Sequence, residues 1–182
     1  MIAEQDFSAA ERDAWRAFWR GTTLVHEQLN QDLVRESGLS IHEYEVLAAL
    51  HEAAEHRVRM SHLAKALIHS RSRLTHTVRR LEQEGFVKRV KCADAGRGVY
   101  CALTKSGRLK FEQAAAAQVA AVRSRLLGKF DDKQVQQLSA LFNHILAAQP
   151  NDFPEDEICS DAECSATAKD RDFCVSVAEE RC

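Results

Sequence analysis

The sequence contains few residues that interrupt helices. Its 182 residues include only 7 glycines and 2 prolines, the two residue types least compatible with the interior of a helix. Long stretches of alanine, leucine, glutamate and arginine lie between them, and these residues favour helix. The composition therefore disfavours an all-β fold and predicts a mainly α-helical one.

The chain also lacks a long apolar run. No stretch approaches the roughly 18 consecutive apolar residues that indicate a membrane-spanning helix. The first residues, MIAEQDFS, have neither the basic start nor the apolar centre of a signal peptide. With 45% hydrophobic and 29% charged residues, the chain suits one domain with a buried core, and we expect it in the cytoplasm.

Acidic and basic residues are separated along the chain. Residues 40–110 carry 14 Lys or Arg against 7 Asp or Glu, whereas residues 150–182 carry 3 against 10. The formal net charge of -2 thus conceals a basic centre of +7 and an acidic end of -7. A concentrated basic segment indicates a surface that binds a polyanion.

Capping signals predict a long first helix. Ser8 and Glu11 have the spacing of a capping box, and Gly38 has the position of a C-terminal cap. The apolar stripe between them, at alternating three- and four-residue steps, consists of Trp15, Phe18, Thr22, Val25 and Leu29.

Two shorter helices are predicted next. Ser40 and Glu43 repeat the capping box and start the second helix, with Tyr44, Leu47 and Leu50 on its apolar side. Ser61 is predicted as the N-cap of the third helix. The side chains predicted to face inward from the third helix are Leu63, Ala64, Leu67 and Ile68.

The stretch SRSRLTHTVRRLEQEGFVKR, residues 70–89, predicts a fourth helix with a narrow apolar face. Ser70 is its predicted N-cap and Gly85 its end. Leu74, Val78 and Leu81 share one face because they recur at four- and three-residue spacing. Four arginines point elsewhere: Arg71, Arg73, Arg79 and Arg80.

A hairpin and two further helices complete the predicted fold. FVKRVKC and VYCALT have strand-like patterns and are separated by the turn residues ADAGRG. A long alanine-rich helix is predicted over residues 107–128, and Asp131 is predicted to cap a last helix. The apolar stripe of that last helix is Val135, Leu138, Leu141, Phe142, Ile145 and Leu146.

Five blocks of this sequence, in order, resemble the MarR (multiple antibiotic resistance regulator) family. They are LSIHEYEVLAAL, RMSHLAKAL, SRSRLTHTVRRLEQEGFVKR, DAGRG and LTKSG, and the resemblance covers residues 8–148. It implies a mainly α fold with a small β-hairpin wing: a winged helix-turn-helix in a dimeric, MarR-like architecture. In such proteins helices from both chain ends form the dimer, and the helix starting at Ser70 enters the DNA major groove.

The predicted domain organisation follows from this resemblance and from the charge pattern. Residues 1–38 form an N-terminal dimerisation helix and residues 39–106 the winged helix-turn-helix region. Residues 107–149 supply the C-terminal dimerisation helices. Residues 150–182 form an acidic, cysteine-containing tail that is predicted to be flexible.

The fourth helix carries residue types suited to DNA. Side chains near the start of a recognition helix reach base edges, and an arginine fork donates two hydrogen bonds to guanine. Arg79 and Arg80 are expected beside phosphates. In proteins of similar sequence the wing arginine, here Arg97, enters the minor groove. The predicted DNA-binding residues are Ser70, Arg71, Ser72, Arg73, Thr75, His76, Arg79, Arg80 and Arg97.

The plainer alternative is that these arginines form an ordinary solvated helix face, paired with Glu82 and Glu84. The concentration of positive charge in the centre of the chain favours the DNA role.

Aromatic residues near the first two helices suggest a ligand pocket. Trp15, Phe18, Trp19 and Tyr44 are the candidates for its lining, because many proteins of the MarR type hold a small molecule between the dimer helices and the DNA-binding region. The alternative is that these aromatics belong to the core and the dimer interface.

The cysteines lie late in the sequence. None precedes Cys92, so the N-terminal sensing cysteine of the peroxide-responsive branch of the family is absent. Cys92 and Cys101 would stand opposite each other if the hairpin turned symmetrically about Gly96 and Arg97. The tail adds two further candidates for redox sensing, Cys159 and Cys164. The alternative is that all of them are inert thiols.

One histidine pair imitates a metal-binding motif. His51 and His56 frame the sequence HEAAEH, but a separation of five residues rotates them by about 140° around a helix. They are therefore predicted to be surface residues that bind no metal. No cofactor is predicted.

The favoured function is a homodimeric, sequence-specific regulator, a repressor in type, that binds a near-palindromic double-stranded operator. A small-molecule effector or cysteine oxidation by an oxidant would release it. Two alternatives stay open: a winged-helix module that binds other proteins, and a thiol- or metal-responsive sensor. An enzyme is not predicted, because the sequence offers no recognisable catalytic base and cleft.

Overall fold

The computed structural model describes residues 7–91 and 99–148. The described residues divide into two compact units: residues 7–41 with 114–144, and residues 42–91 and 99–113 with 145–148. In chain order the elements are α1 (Ala9–Ser37), α2 (Ile41–Glu52), β1 (Arg57–Arg59), α3 (Met60–Ala66), α4 (Arg71–Gln83), β2 (Val87–Lys91), β3 (Val99–Leu103), α5 (Lys105–Arg125), a 3-10 turn (Leu127–Lys129) and α6 (Asp132–Ala148). The predicted mainly α fold with a small β wing is confirmed.

The caps predicted for the first unit are present. Ser8 Oγ accepts a hydrogen bond from the Glu11 amide at 3.3 Å, and the Ser8 amide donates to the Glu11 carboxylate at 2.8 Å. Gly38 ends α1 with a φ of +72°, and its amide donates to the Val34 carbonyl. A left-handed backbone at this position favours glycine, so the sequence determines where α1 ends.

The cap of α6 is also as predicted. Asp131 Oδ1 accepts from the Gln134 amide at 2.8 Å, and Gln134 Oε1 accepts from the Asp131 amide at 3.0 Å. These reciprocal bonds satisfy amides that the first helical turn leaves unpaired, and they fix the start of α6.

Helix α5 begins two residues earlier than predicted and ends three residues earlier. Thr104 supplies the cap, because its Oγ1 accepts a hydrogen bond from the Gly107 amide at 3.0 Å. The same hydroxyl donates to the Gly85 carbonyl at 2.7 Å. A β-carbon at position 107 would overlap the Phe86 carbonyl oxygen. Glycine at this position therefore allows α5 to approach the end of α4 closely.

The core of the second unit is built from the predicted apolar faces. Leu47 and Leu50 of α2 are fully buried, and so is Leu63 of α3. The α4 stripe is also buried, at 1% exposure or less for Leu74, Val78 and Leu81. Burial of this stripe directs the rest of α4 toward solvent.

The third helix differs from its prediction at both ends. Helix α3 begins at Met60, directly after strand β1, so Arg59 occupies the N-cap position and Ser61 lies inside the first turn. At the other end, Ile68 is 76% exposed and has a φ of +52°. The inward placement of Ile68 is wrong because the helix ends at Ala66, and the left-handed backbone breaks the helical period.

The sheet has one strand that was not predicted. Strand β1 pairs antiparallel with β3, and the order is β1-β3-β2. The segment RVR is too short to produce a recognisable alternation of apolar and polar residues. It forms a strand because it pairs with β3 on the side that β2 does not occupy.

The hairpin register differs from the symmetric turn that was predicted. The β2–β3 ladder runs from Val87 opposite Leu103 to Lys91 opposite Val99. Cys101 therefore stands opposite Arg89, not opposite Cys92. The predicted pairing is wrong because the midpoint between paired residues lies before Gly96 and Arg97 in the sequence, on the β2 side. A shift of this midpoint changes the partner of every residue in the ladder.

Among the helices that the structure describes, none has both the length and the apolar character needed to cross a bilayer.

Candidate nucleic-acid interface

The N-terminal end of α4 is fixed by a serine cap. Ser70 Oγ accepts a hydrogen bond from the Arg73 amide at 3.2 Å, and Ser70 itself has an extended backbone. This cap starts the helix at Arg71. The cap therefore determines which side chains lie in the first two turns of α4.

The residues predicted to bind DNA lie together on the exposed face of α4. Leu74, Thr77 and Val78 are buried between them, so the buried stripe determines which side chains face solvent. The exposed members are Ser70, Arg71, Ser72, Arg73, Thr75, His76, Arg79 and Arg80. Their arrangement provides guanidinium, hydroxyl and imidazole groups along one helix.

Three of these arginines have no acidic partner within residues 7–91 and 99–148, namely Arg71, Arg73 and Arg79. The alternative that Glu82 neutralises them is wrong, because the Glu82 carboxylate lies 2.7 Å from an amino nitrogen of Arg89. Unpaired guanidinium groups on one helix repel one another, and a bound anion reduces that repulsion. This favours a phosphate-rich ligand.

Arg80 differs from its neighbours. Its Nε lies 3.2 Å from an oxygen of Glu43, and the Glu43 side chain is only 7% exposed. The pair joins α4 to α2 within the second unit. Arg80 is thus partly neutralised by a contact that joins the two helices.

Arg89 is a positioning residue that sequence reasoning missed. One of its amino nitrogens lies 2.7 Å from Glu82, and another donates to the Thr75 carbonyl at 3.2 Å. Its backbone amide also donates to the Glu82 carboxylate. These bonds hold α4 against β2, but a single arginine in a strand gives no spacing signal.

The sheet adds further positive charge to the same unit. Arg59 donates a hydrogen bond to the Tyr100 hydroxyl at 2.8 Å. The guanidinium groups of Arg57 and Arg59 lie 5.8 and 5.5 Å from the centre of the Tyr100 ring, within the range of a cation–π contact. Arg57 also forms an ion pair with Glu55.

Several predicted site residues fall outside the described parts of the chain. They are Arg97 of the wing turn, Cys92, Cys159 and Cys164.

Cys101 is fully buried in the centre of the sheet. Burial raises the pKa of its thiol to about 12. Oxidation begins from the thiolate, so the local environment of Cys101 disfavours the sensing role that the sequence suggested.

The candidate pocket residues divide between the two units. In the first unit, the Trp15 ring lies 6.0 Å from that of Phe18 and 5.7 Å from that of Trp19. These three rings are 42 to 59% exposed, and Phe18 also approaches Phe142 of α6 at 6.1 Å. In the second unit, Tyr44 is half-buried against Phe111, with ring centres 5.4 Å apart.

The histidines of HEAAEH are not the surface residues that were predicted. His51 and His56 are both half-buried, and their rings stack with centres 5.7 Å apart. His51 also packs 4.6 Å from Phe111. The chain turns after α2, with a φ of +51° at His56, and this brings the two rings together.

Comparisons with known proteins agree with this architecture. The model of the MarR family matches residues 37–98, and a search of curated proteins found no match. A MarR family transcriptional regulator from Streptomyces coelicolor, Sco3205, in complex with DNA, is similar at 32% identity; the match covers 80% of this chain and 95% of that one, with a TM-score of 0.75.

Two further solved structures extend the comparison. AbsC, a MarR family transcriptional regulator from Streptomyces coelicolor, is 31% identical over 78% of this chain and 95% of its own, with a TM-score of 0.72. CouR from Rhodococcus jostii RHA1, bound to p-coumaroyl-CoA, is 25% identical over 82% of this chain and 99% of its own, with a TM-score of 0.62.

Proposed function

Because this chain belongs to the MarR family of transcriptional regulators, we propose that it binds double-stranded DNA as a homodimer and represses transcription in the cytoplasm. The single observation that carries the proposal is the exposed face of α4, on which Arg71, Arg73 and Arg79 have no acidic partner among the described residues. Sco3205, which is similar over most of this chain, is known in complex with DNA.

We assign different tasks to the two parts of this face. Ser72, Arg73, Thr75 and His76 lie in the first turns of α4, where a recognition helix reaches base edges. Arg73 suits guanine because its fork donates two hydrogen bonds to O6 and N7. Arg79 lies farther along and would contact phosphate, which contributes affinity without sequence preference.

The homodimer is supported by apolar side chains that the single chain leaves exposed. On α1, Leu24 is 59% exposed; on α6, Leu141 is 65% and Leu146 59% exposed. An extended apolar surface of this kind is typical of a protein interface. A two-fold dimer presents two recognition helices, so the proposed operator is a near-palindrome with half-sites about one helical turn apart.

A small-molecule effector is the favoured mode of release. CouR is known with p-coumaroyl-CoA bound, and this chain offers the aromatic cluster of Trp15, Phe18 and Trp19. Aromatic rings with exposed faces bind planar apolar groups well. Release by oxidation has less support, because the buried Cys101 disfavours the thiolate.

The proposal is tested by fluorescence anisotropy with the duplex upstream of the protein's own gene and a shuffled duplex of equal length. Arg73→Ala should lose about 1 to 3 kcal/mol on the upstream duplex and relax the preference at one base pair. Arg123→Ala, which removes an exposed arginine of α5, is the matched control. Equal binding of the wild type to both duplexes would favour the protein-interaction alternative instead.

A further inference from the structure

Three potential metal ligands meet in the second unit, at the start of the helix-turn-helix. His42 and Glu45 lie one turn apart in α2, and His69 lies in the turn between α3 and α4. The sequence did not indicate this cluster, because His69 is 24 or more residues away from the other two along the chain. The fold brings them together.

The separations suit a shared cation. Glu45 Oε2 lies 3.3 Å from His42 Nδ1 and 3.4 Å from His69 Nε2. Hydrogen bonds from nitrogen to oxygen are mostly shorter, at about 2.9 to 3.0 Å. Two ligands that are each about 2.0 to 2.1 Å from a tetrahedral zinc ion lie roughly 3.3 to 3.4 Å from each other. The two separations therefore match the edges of a zinc coordination tetrahedron.

The remaining edge requires a small movement. The ligand atoms of all three residues lie within 4.8 Å of one another. The two imidazole rings are nearly perpendicular, at 86°, with centres 4.9 Å apart. A tetrahedral edge would require the two imidazole nitrogens to approach each other by up to about 1.4 Å, and the His42 side chain, at 35% exposure, is not held in the core.

His69 is the most buried of the three ligands. Its side chain is only 4% exposed, against 35% for His42 and 39% for Glu45, and its ring nitrogen Nε2 faces Glu45 at the long distance of 3.4 Å.

The charges of the ligand set also suit a cation, because the carboxylate of Glu45 contributes negative charge beside the two imidazole rings.

We propose that His42, Glu45 and His69 bind one divalent transition-metal ion of the zinc class, with water at the fourth position. Two imidazole nitrogens and one carboxylate are a ligand set that Zn²⁺ accepts, whereas Mg²⁺ and Ca²⁺ prefer oxygen ligands alone. The ion would join α2 to the residue that directly precedes Ser70, the cap of α4. It would thereby stabilise the turn that sets the start of the recognition helix.

The competing possibility is a hydrogen-bonded cluster without a metal, in which Glu45 accepts from both histidines. The two arrangements differ in what a metal titration shows. The full-length wild type is titrated with Co²⁺ as a visible-absorption probe, beside His42→Gln and Glu45→Gln. His144→Gln, which changes an exposed histidine of α6, is the matched control.

The wild type and His144→Gln should bind about one more Co²⁺ per chain than His42→Gln or Glu45→Gln. Co²⁺ bound by cysteines elsewhere in the chain shows sulfur charge-transfer bands in the near ultraviolet, and these bands should be equal in all four proteins. Equal Co²⁺ uptake by the wild type and the two cluster variants would overturn the proposed site.

Thermal unfolding provides a second readout that does not involve DNA. A ligand that binds only the folded state raises Tm, so Zn²⁺ should raise Tm more in the wild type and in His144→Gln than in His42→Gln. Far-ultraviolet circular dichroism verifies that each variant is folded, and His69→Gln provides a second variant if one cluster variant does not fold. An equal Zn²⁺-induced shift in the wild type and the folded cluster variants would contradict the site.

Discussion

Arg80 and Glu43 form an ion pair between α4 and α2, with the arginine Nε 3.2 Å from a carboxylate oxygen. The side chain of Arg80 is exposed, whereas the side chain of Glu43 is nearly buried. Truncation of the arginine would leave a carboxylate in a site from which water is mostly excluded. The pair therefore distinguishes Arg80, whose guanidinium group contacts a carboxylate of α2, from Arg71, Arg73 and Arg79 of the same helix.

The first prediction compares Arg79→Ala with Arg80→Ala. Arg80→Ala should lower the free energy of unfolding by about 1 to 3 kcal/mol, because it removes a charged partner from the nearly buried Glu43 carboxylate. Arg79→Ala should leave stability almost unchanged while it weakens binding to all DNA sequences. Urea unfolding measures the first effect and anisotropy the second. Equal stability of the two variants would contradict a positioning role for Arg80.

The second prediction concerns the ion pair that joins α1 to α5 in the first unit. Arg125 Nε lies 2.7 Å from Asp32 Oδ2, and a second guanidinium nitrogen lies 3.0 Å from Oδ1. Arg125, and after it Arg35, holds the pKa of Asp32 below its usual value of 3.8. Asp32→Asn should therefore be less stable than the wild type at neutral pH.

The pH dependence of that difference follows from the lowered pKa. The stabilisation is complete above pH 3.8, the usual pKa of an aspartate, and is lost as pH falls through the lower pKa of the folded state. Urea unfolding of the two proteins from pH 7 down to pH 2 should show the gap closing in acid. Asp13→Asn, an exposed change in the same helix, is the control; a gap independent of pH would exclude the ionised pair as its cause.

The third prediction is that Cys101 is inert in the folded protein. Burial raises the pKa of this thiol to about 12, so almost no thiolate exists at pH 8. Iodoacetamide at that pH should label Cys101 only after the protein is unfolded in urea, as peptide mass spectrometry would detect. Rapid labelling of Cys101 in the native protein would reverse our assignment and restore it as a redox candidate.

The fourth prediction tests the dimer. Leu141 is 65% exposed on α6, in the apolar stripe that we propose lies at the interface. Leu141→Asp places a charge there and should shift the protein from dimer to monomer in sedimentation velocity at micromolar concentration. Gln136→Asp lies on the opposite side of the same helix and should remain dimeric. A wild type that sediments as a stable monomer would contradict the proposal.

Local signals in the sequence were sufficient for most helix boundaries. The box of Ser8 and Glu11, the glycine at position 38 and the serine at position 70 each act within one turn of helix. Short-range hydrogen bonds of this kind depend only on residues that are close together in the sequence. The buried stripe of α4 is similarly periodic, and its prediction required no knowledge of the partner helices.

Features that depend on distant parts of the chain were not predictable in this way. Strand β1 exists because β3 offers an edge, and the partner of Cys101 depends on a hairpin register that the turn sequence did not reveal. Ile68 is exposed because the backbone leaves the helical path at that residue. The contacts of His69 and of Glu43 join elements that are far apart in sequence. Tertiary packing decides all of these.

The central claim, that the exposed face of α4 binds DNA in a sequence-specific way, is tested most directly by a salt titration. Binding of the wild-type homodimer to its upstream duplex and to a shuffled duplex is measured by anisotropy at increasing salt concentrations. We expect tighter binding to the upstream duplex at every concentration, and a steep fall in affinity with salt as counterions displaced by lysine and arginine return. Equal affinity for both duplexes, or affinity that does not change with salt, would contradict the account.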